Sequence, residues 1–466
     1  MKRLLTLLLC LSLLILPPAP FGALAEGEAP PEAWLVKLRD SEEPFVRVEA
    51  AELGALLAAD RVEWYEPDGD AALLEGGEDC WFDPDRKWDL TMIGAGESLA
   101  RGQTGAGVRV GVIDSGIAPH ADFGDRLLPG HNYTPDAQDP DDATDKYGHG
   151  TKVAGLIAGA GANGCSGAAP GAELVPLKCT DGKSVKISAI CDAIYGGVDD
   201  YGCQVLNLSL GVTTQYQTLA DAVAYAAERG VVMVSAAGNN GRQTLYYPGA
   251  YETVISVASV DSSGTCAASS CHNETVWIAA PGVEVRSTAY TGGYTLGSGT
   301  SFATPQVSAA CAVLLGADAT LTPAGIAECL GATAEDRGAP GWDTHYGCGI
   351  LRIDLALDAL LGPDPGTPCA FSDPDPDSGA ARQVQNHTRE PLDCLYLLAE
   401  YGPGGALASL RTTPLSLAPG ETAELELPDG TRPFAQYLLE SGTNSPLCEA
   451  YRMPTVEVSG NPRFTP

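Results

Sequence analysis

"VRVGVID", residues 108–114, is a near-continuous apolar run that ends on a carboxylate. The pattern repeats along the chain: "LVPLK" at 174–178, "VLNLSL" at 205–210, "VVMVSAAG" at 231–238 and "TVISVASV" at 253–260 are short and rich in β-branched residues. Between them lie longer stretches of helical character, "HGTKVAGLIAGA" at 149–160, "VKISAICDAIYGGVDD" at 185–200 and "YQTLADAVAYAAERG" at 216–230. Apolar strands that alternate with helices predict an α/β domain built on a mostly parallel, doubly wound sheet covered on both faces. Ligands bind outside the carboxyl ends of the strands in such sheets. Function is therefore sought in the polar groups that stand there.

Four such groups are candidates. Asp114 ends the first run, where a carboxylate is costly unless something pairs with it; capping the turn that follows would also account for it. His149 opens a small-residue helix between glycines that allow close approach, although a histidine there can equally be a cap. Asn239 follows "VVMVSAAG", in a place where asparagine also serves ordinary turns. Ser301 sits in "GTSFATP", 299–305, ahead of a long apolar run. Pro305 is expected in the first helical turn, where its missing N–H costs nothing. That puts the Ser301 hydroxyl at a positive helix end, where backbone N–H groups can stabilise an oxyanion. An N-cap serine is the plain alternative. Taken together, the four suit a hydroxyl nucleophile, a base that takes its proton, and a carboxylate that orients the base.

"VIDSGI", "GHGTKVAG", "AAGN" and "GTSFATP" resemble the active-site segments of the subtilases, the subtilisin-like serine proteases of peptidase family S8, in that family's order. "GAAPGAELVPLK", "LNLSLG", "YPGAYETVISVASVD" and "IAAPG" extend the resemblance over roughly residues 88–360. The resemblance implies a subtilisin-like fold and a serine endopeptidase that hydrolyses polypeptides through an acyl-enzyme, with no cofactor for the chemistry. It implies that Ser301 is the nucleophile, His149 the general base and acid, and Asp114 the orienter of His149. Asn239, with the Ser301 backbone N–H, would form the oxyanion hole. Ser209, Leu210 and Gly211 would pair with substrate as an added strand. Ala236, Ala237 and Gly238 would border the pocket for the residue before the cleaved bond. Lys152 departs from the family, which usually has histidine there. An α/β-hydrolase esterase needs the serine ahead of its acid and histidine, which is the opposite order. The alternative from another class is a catalytically inactive subtilase scaffold that acts as a binding or processing module.

Beyond this domain, taken as residues 76–361, the chain divides further. Residues 1–25 have a basic start, a leucine-rich core and a small-x-small ending, the pattern of a secretory signal cut after Ala25; the protein is expected to be secreted. No later stretch is expected to span a membrane once the leader is gone. Residues 26–75 form a small α+β unit whose "WLVKLRD" and "VEWYEPDG" resemble the family's inhibitory propeptide, which would make it a partner of the chain's own. If "RVEWYEPDGDAALL" ends in a strand along Ser209–Gly211, its tail ends near Ser301, and a self-cut is expected around Leu74–Asp79. Residues 362–383 read as a Pro/Asp-rich linker, and 384–466 as a small antiparallel β-domain, similar to accessory β-sandwich domains.

Acidic residues number 60 against 27 basic ones, for a net charge of −33. Binding to phosphates needs basic patches, so nucleic acid is not an expected partner. Five aspartates crowd 136–150 just ahead of His149; the loop is read either as a structural calcium site or as a solvated acidic face. The chain's 14 cysteines suit an oxidising compartment. Cys266 and Cys271 are the expected disulfide, and Cys311 is expected to be a small core residue.

Overall fold

The computed structural model describes residues 33–41, 43–73, 88–135, 137–160, 167–182, 184–362, 369–374, 381–386, 392–401, 407–418, 421–425, 434–440 and 451–452. The leader and the stretch Leu74–Asp79 lie outside the described residues. The chain divides into two compact units between Ile353 and Asp354.

The first unit opens with strands β1 (Trp34–Leu38) and β2 (Val46–Val48), helix α1 (Ala50–Ala58), and strands β3 (Val62–Pro67) and β4 (Asp70–Leu73). β2, β1 and β3 form an antiparallel sheet whose Val36, Val48 and Val62 pack with Leu53 of α1. Then come α2 (Trp88–Met92), α3 (Ala95–Ala100), β5 (Arg109–Asp114), β6 (His131–Asn132), α4 (His149–Ala158), β7 (Glu173–Lys178), β8 (Ser184–Lys186) and α5 (Ile187–Asp199). After these follow β9 (Val205–Leu208), β10 (Leu210–Gly211), α6 (Gln217–Glu228), β11 (Val232–Ala236), β12 (Val254–Val260) and β13 (Ile278–Pro281). The hairpin β14 (Val285–Thr288) and β15 (Tyr294–Gly297) precedes helices α7 (Thr300–Ala317) and α8 (Pro323–Ala332).

The central sheet has seven strands in the order β13-β12-β11-β9-β5-β7-β6. Every pairing in it is parallel. Each residue of β11 and β12 is buried, as a sheet covered on both faces requires. On one face Ile113, Leu177, Leu206 and Met233 share a core with Ile190 and Ile194 of α5 and with Leu219, Val223 and Ala226 of α6. α4 and α7 pack together and cover the other face. α7 is long and apolar enough to cross a membrane, but it lies buried inside the unit, and Cys311 on it is fully buried.

β4 leaves its own small sheet. It runs antiparallel between β10 and β8 in a separate three-stranded sheet. Two carboxylates at the end of the small unit reach the starts of α5 and α6. Glu66 accepts the backbone N–H of Gln217 and of Thr218, each at 2.7 Å. Asp68 accepts the Ser188 N–H at 3.1 Å and its hydroxyl at 2.9 Å, and pairs with Arg47.

The second unit, Asp354–Gly460, contains two antiparallel sheets. One joins β16 (Cys369–Pro374), β17 (Ala381–Asn386) and β20 (Thr422–Glu424). The other joins β19 (Leu407–Leu417), β18 (Leu392–Tyr401), β21 (Phe434–Glu440) and β22 (Tyr451–Arg452).

Candidate active site

Asp114 is the last residue of β5 and His149 the first of α4, and both are fully buried. His149 Nδ1 lies 2.8 and 2.9 Å from the two carboxylate oxygens of Asp114. A proton on Nδ1 satisfies both contacts and leaves Nε2 as the basic nitrogen. Nε2 is buried and has no hydrogen-bond partner among the described residues. A buried polar atom of this kind calls for an explanation.

Ser301 is the second residue of α7, not its cap; the N-cap is Gly299, at φ 128°. Pro305 is the sixth helical residue, so the expectation of a first-turn proline is corrected. At that position its absent N–H would have bonded the Ser301 carbonyl. The Ser209 hydroxyl supplies the missing donor at 2.9 Å. The Ser301 hydroxyl in turn donates to the Ser209 carbonyl at 3.0 Å. Behind this pair Asn207 Nδ2 donates to Ser209 Oγ at 3.0 Å, and Ser308 Oγ to Asn207 Oδ1 at 2.9 Å. A hydroxyl that gave its proton to His149 would first have to turn away from Ser209; such contacts commonly form only with substrate present.

Asn239 follows β11 through Ala237 and Gly238. Its Oδ1 accepts the Thr300 N–H at 2.9 Å and the Thr300 hydroxyl at 3.0 Å, which fixes the side chain at the mouth of α7. Gly238 has φ 110°, and a Cβ there would come within 2.3 Å of the Tyr246 ring. That position therefore excludes side chains, and Ala236 and Ala237 beside it are buried. Leu210 and Gly211 pair with Leu73 and Ala72 of β4. Lys152 places its ammonium 5.2 Å from the centre of the Phe302 ring, whose edge-on contact with His149 spans 5.6 Å.

One residue of the site was not singled out in the sequence. Asp145 is only 3% exposed, and its carboxylate accepts five hydrogen bonds, from Ser115 Oγ, the N–H of Tyr147, Gly148 and Thr151, and Thr151 Oγ1. Ser115 Oγ also accepts the Gly150 N–H at 3.0 Å. The carboxylate thus ties the turn after Asp114 to the helix start that carries His149. The only signal for it is an aspartate four residues before the histidine, and that signal is lost among the other aspartates.

Asp139, Asp142 and Asp145 of the acidic loop are engaged by donors of the protein itself. Asp145 is saturated by donors, Asp142 pairs with Lys146 at 2.8 Å, and Asp139 accepts the Asp141 N–H. Among the described residues no group of three or more His, Cys, Asp or Glu side chains is arranged to hold a metal. The expected Cys266–Cys271 disulfide is also corrected, since both are free thiols. Cys271 Sγ donates to Asn240 Oδ1 at 3.0 Å, while Cys266 Sγ lies against the His345 carbonyl at 3.7 Å.

Comparison with known proteins adds an independent finding. The profile of the Subtilase family matches residues 105–349, a span that contains every candidate site residue. The "Thermostable alkaline protease" of Halalkalibacterium halodurans is 36% identical over 272 residues, 58% of this chain and 73% of that protein. "Subtilisin DY" of Bacillus licheniformis is 34% identical over 282 residues, 58% of this chain and 97% of its own length. The "Minor extracellular protease Epr" of Bacillus subtilis is 34% identical over 292 residues, 61% of this chain but 43% of that protein.

Proposed function

The chain belongs to the subtilase family and is a serine-type endopeptidase, and from that premise we propose that it is secreted and cuts polypeptides through Asp114, His149 and Ser301. The observation that carries this reading is the Asp114–His149 pair: a buried imidazole held by both carboxylate oxygens on one side, with its other nitrogen unpartnered among the described residues.

Nε2 takes the Ser301 proton as Oγ attacks the substrate carbonyl, and the buried Asp114 carboxylate stabilises the imidazolium that results. The oxyanion is met by the Ser301 backbone N–H and the Asn239 amide at the start of α7. His149 then hands its proton to the leaving amine, and water repeats the sequence on the acyl-enzyme. Substrate enters as a strand along Ser209–Gly211, the place β4 now takes. The segment that ends in β4 accordingly acts as a propeptide, and residues 1–25 direct export.

A fluorophosphonate should label the secreted protein at Ser301, mapped by mass spectrometry. Labelling that survives Ser301→Ala would remove the assignment.

A further inference from the structure

β4 lies between β10 and β8, so an extended chain in its place is bonded from both sides. Backbone pairing of that kind holds any sequence; selectivity must come from the side chains. Along β4 they alternate. Ala71 and Leu73 are 5% and 7% exposed and share the core that contains Leu210, Val185 and Ile187. Asp70 and Ala72 face outward.

Asp70 is exposed but has partners. Lys186 Nζ lies 3.1 Å from each of its carboxylate oxygens, and Ser184 Oγ donates to Oδ1 at 3.0 Å. Both donors belong to β8. In a chain of net charge −33 an acidic ligand meets repulsion at long range. A lysine and a hydroxyl converging on one carboxylate make a local exception.

We propose that Lys186 and Ser184 form a specificity subsite for an acidic side chain, at the position three residues before the one that faces Leu210. Preferred substrates then read acidic, small and apolar, unrestricted, apolar, as Asp70, Ala71, Ala72 and Leu73 do. The inference rests on the reading of Leu210–Gly211 as the substrate-binding strand. The subsite is part-exposed, with side-chain exposures of 30% for Lys186 and 55% for Asp70, so its effect is one of preference.

Quenched peptides with the sequence of residues 68–78, carrying Asp, Asn or Lys at the position of Asp70, test this. The secreted wild type should cleave the Asp peptide with kcat/KM roughly three- to tenfold above the Lys peptide at low salt, and the gap should narrow in high salt. Lys186→Glu should reverse the order, while a shorter peptide that begins after that position is cut equally by both enzymes. Equal rates on the three peptides, or an order that survives Lys186→Glu, would overturn the subsite and leave the protease reading intact. Hydrolysis of no peptide at all would remove that reading, and the subsite with it.

Discussion

Ser209 and Ser301 exchange hydrogen bonds: each hydroxyl donates to the other's backbone carbonyl, at 2.9 and 3.0 Å. The exchange exists because Pro305 deprives Ser301 of its helical donor. Ser209→Ala should therefore strand a buried carbonyl and lower stability by about 1–3 kcal/mol. Pro305→Ala restores an N–H, so the double variant should lose less than the two single losses added together. Denaturant unfolding in a Ser301→Ala background, which cannot digest itself, measures both. Strict additivity would mean that the two positions are not coupled through this carbonyl.

Asp145→Asn replaces an acceptor of five bonds by a group that must present N–H to some of the same donors. Turnover on a short peptide should fall at least roughly tenfold with KM little changed, because the loss falls on the alignment of Asp114 with His149. An unaltered kcat in a folded variant would limit Asp145 to a structural role.

Asn239→Ala should lower kcat by roughly 10²–10³ and spare KM, a magnitude that comes from the corresponding donor in a subtilisin and not from this geometry. Asn239→Asp separates two effects. It keeps an oxygen for the Thr300 N–H and hydroxyl but loses the amide donor, so it should be as slow as the alanine variant. A change confined to KM in either variant would contradict the oxyanion role.

The self-cut is expected around Leu74–Asp79. The register is consistent with it: Leu73 faces Leu210, whose neighbour Ser209 holds the Ser301 hydroxyl. N-terminal sequencing should find residues 26–74 retained in Ser301→Ala and absent from the wild type, at a rate independent of concentration. The same shortened N-terminus in both would assign the cut to another protease.

Burial pushes the Glu66 carboxyl above its ordinary range, against the pull of the Thr218 and Gln217 N–H groups. A carboxyl with a raised folded pKa stabilises most below its unfolded pKa, and that contribution fades as pH rises through the folded value. In the Ser301→Ala chain, the melting temperature should fall relative to that of the Glu66→Gln variant as pH goes from about 4 to about 7. A gap that does not move with pH would mean that Glu66 titrates alike in the folded and unfolded chains.

The parallel sheet was legible because its physics is local, whereas the triad candidates stood out only together and took their roles from the resemblance. Strands such as Val254–Val260, covered on both faces, read as unbroken apolar runs, and Gly238 and Gly299 mark places where backbone must pass closely. Asp145 was not legible, since nothing in its neighbours distinguishes a saturated buried carboxylate from the solvated Asp139 or Asp142. Pro305 misled for a related reason. Its tolerance in the second turn depends on Ser209, almost a hundred residues away in sequence. Cys266 and Cys271 are near each other in the chain, but separate partners, Asn240 and the His345 carbonyl, engage them.

The N-cap residues of helices α5 and α6, Lys186 and Tyr216, make no side-chain cap. Their caps are borrowed from Glu66 and Asp68, ahead of the expected cut, and a helix cap contributes about 1 kcal/mol. If that segment leaves, the remaining polypeptide keeps a shape whose assembly it can no longer fully support. Maturation would then act as a ratchet: denatured mature enzyme should refold poorly unless residues 26–74 are added back, so its lifetime is set by how slowly it unfolds and not by an equilibrium.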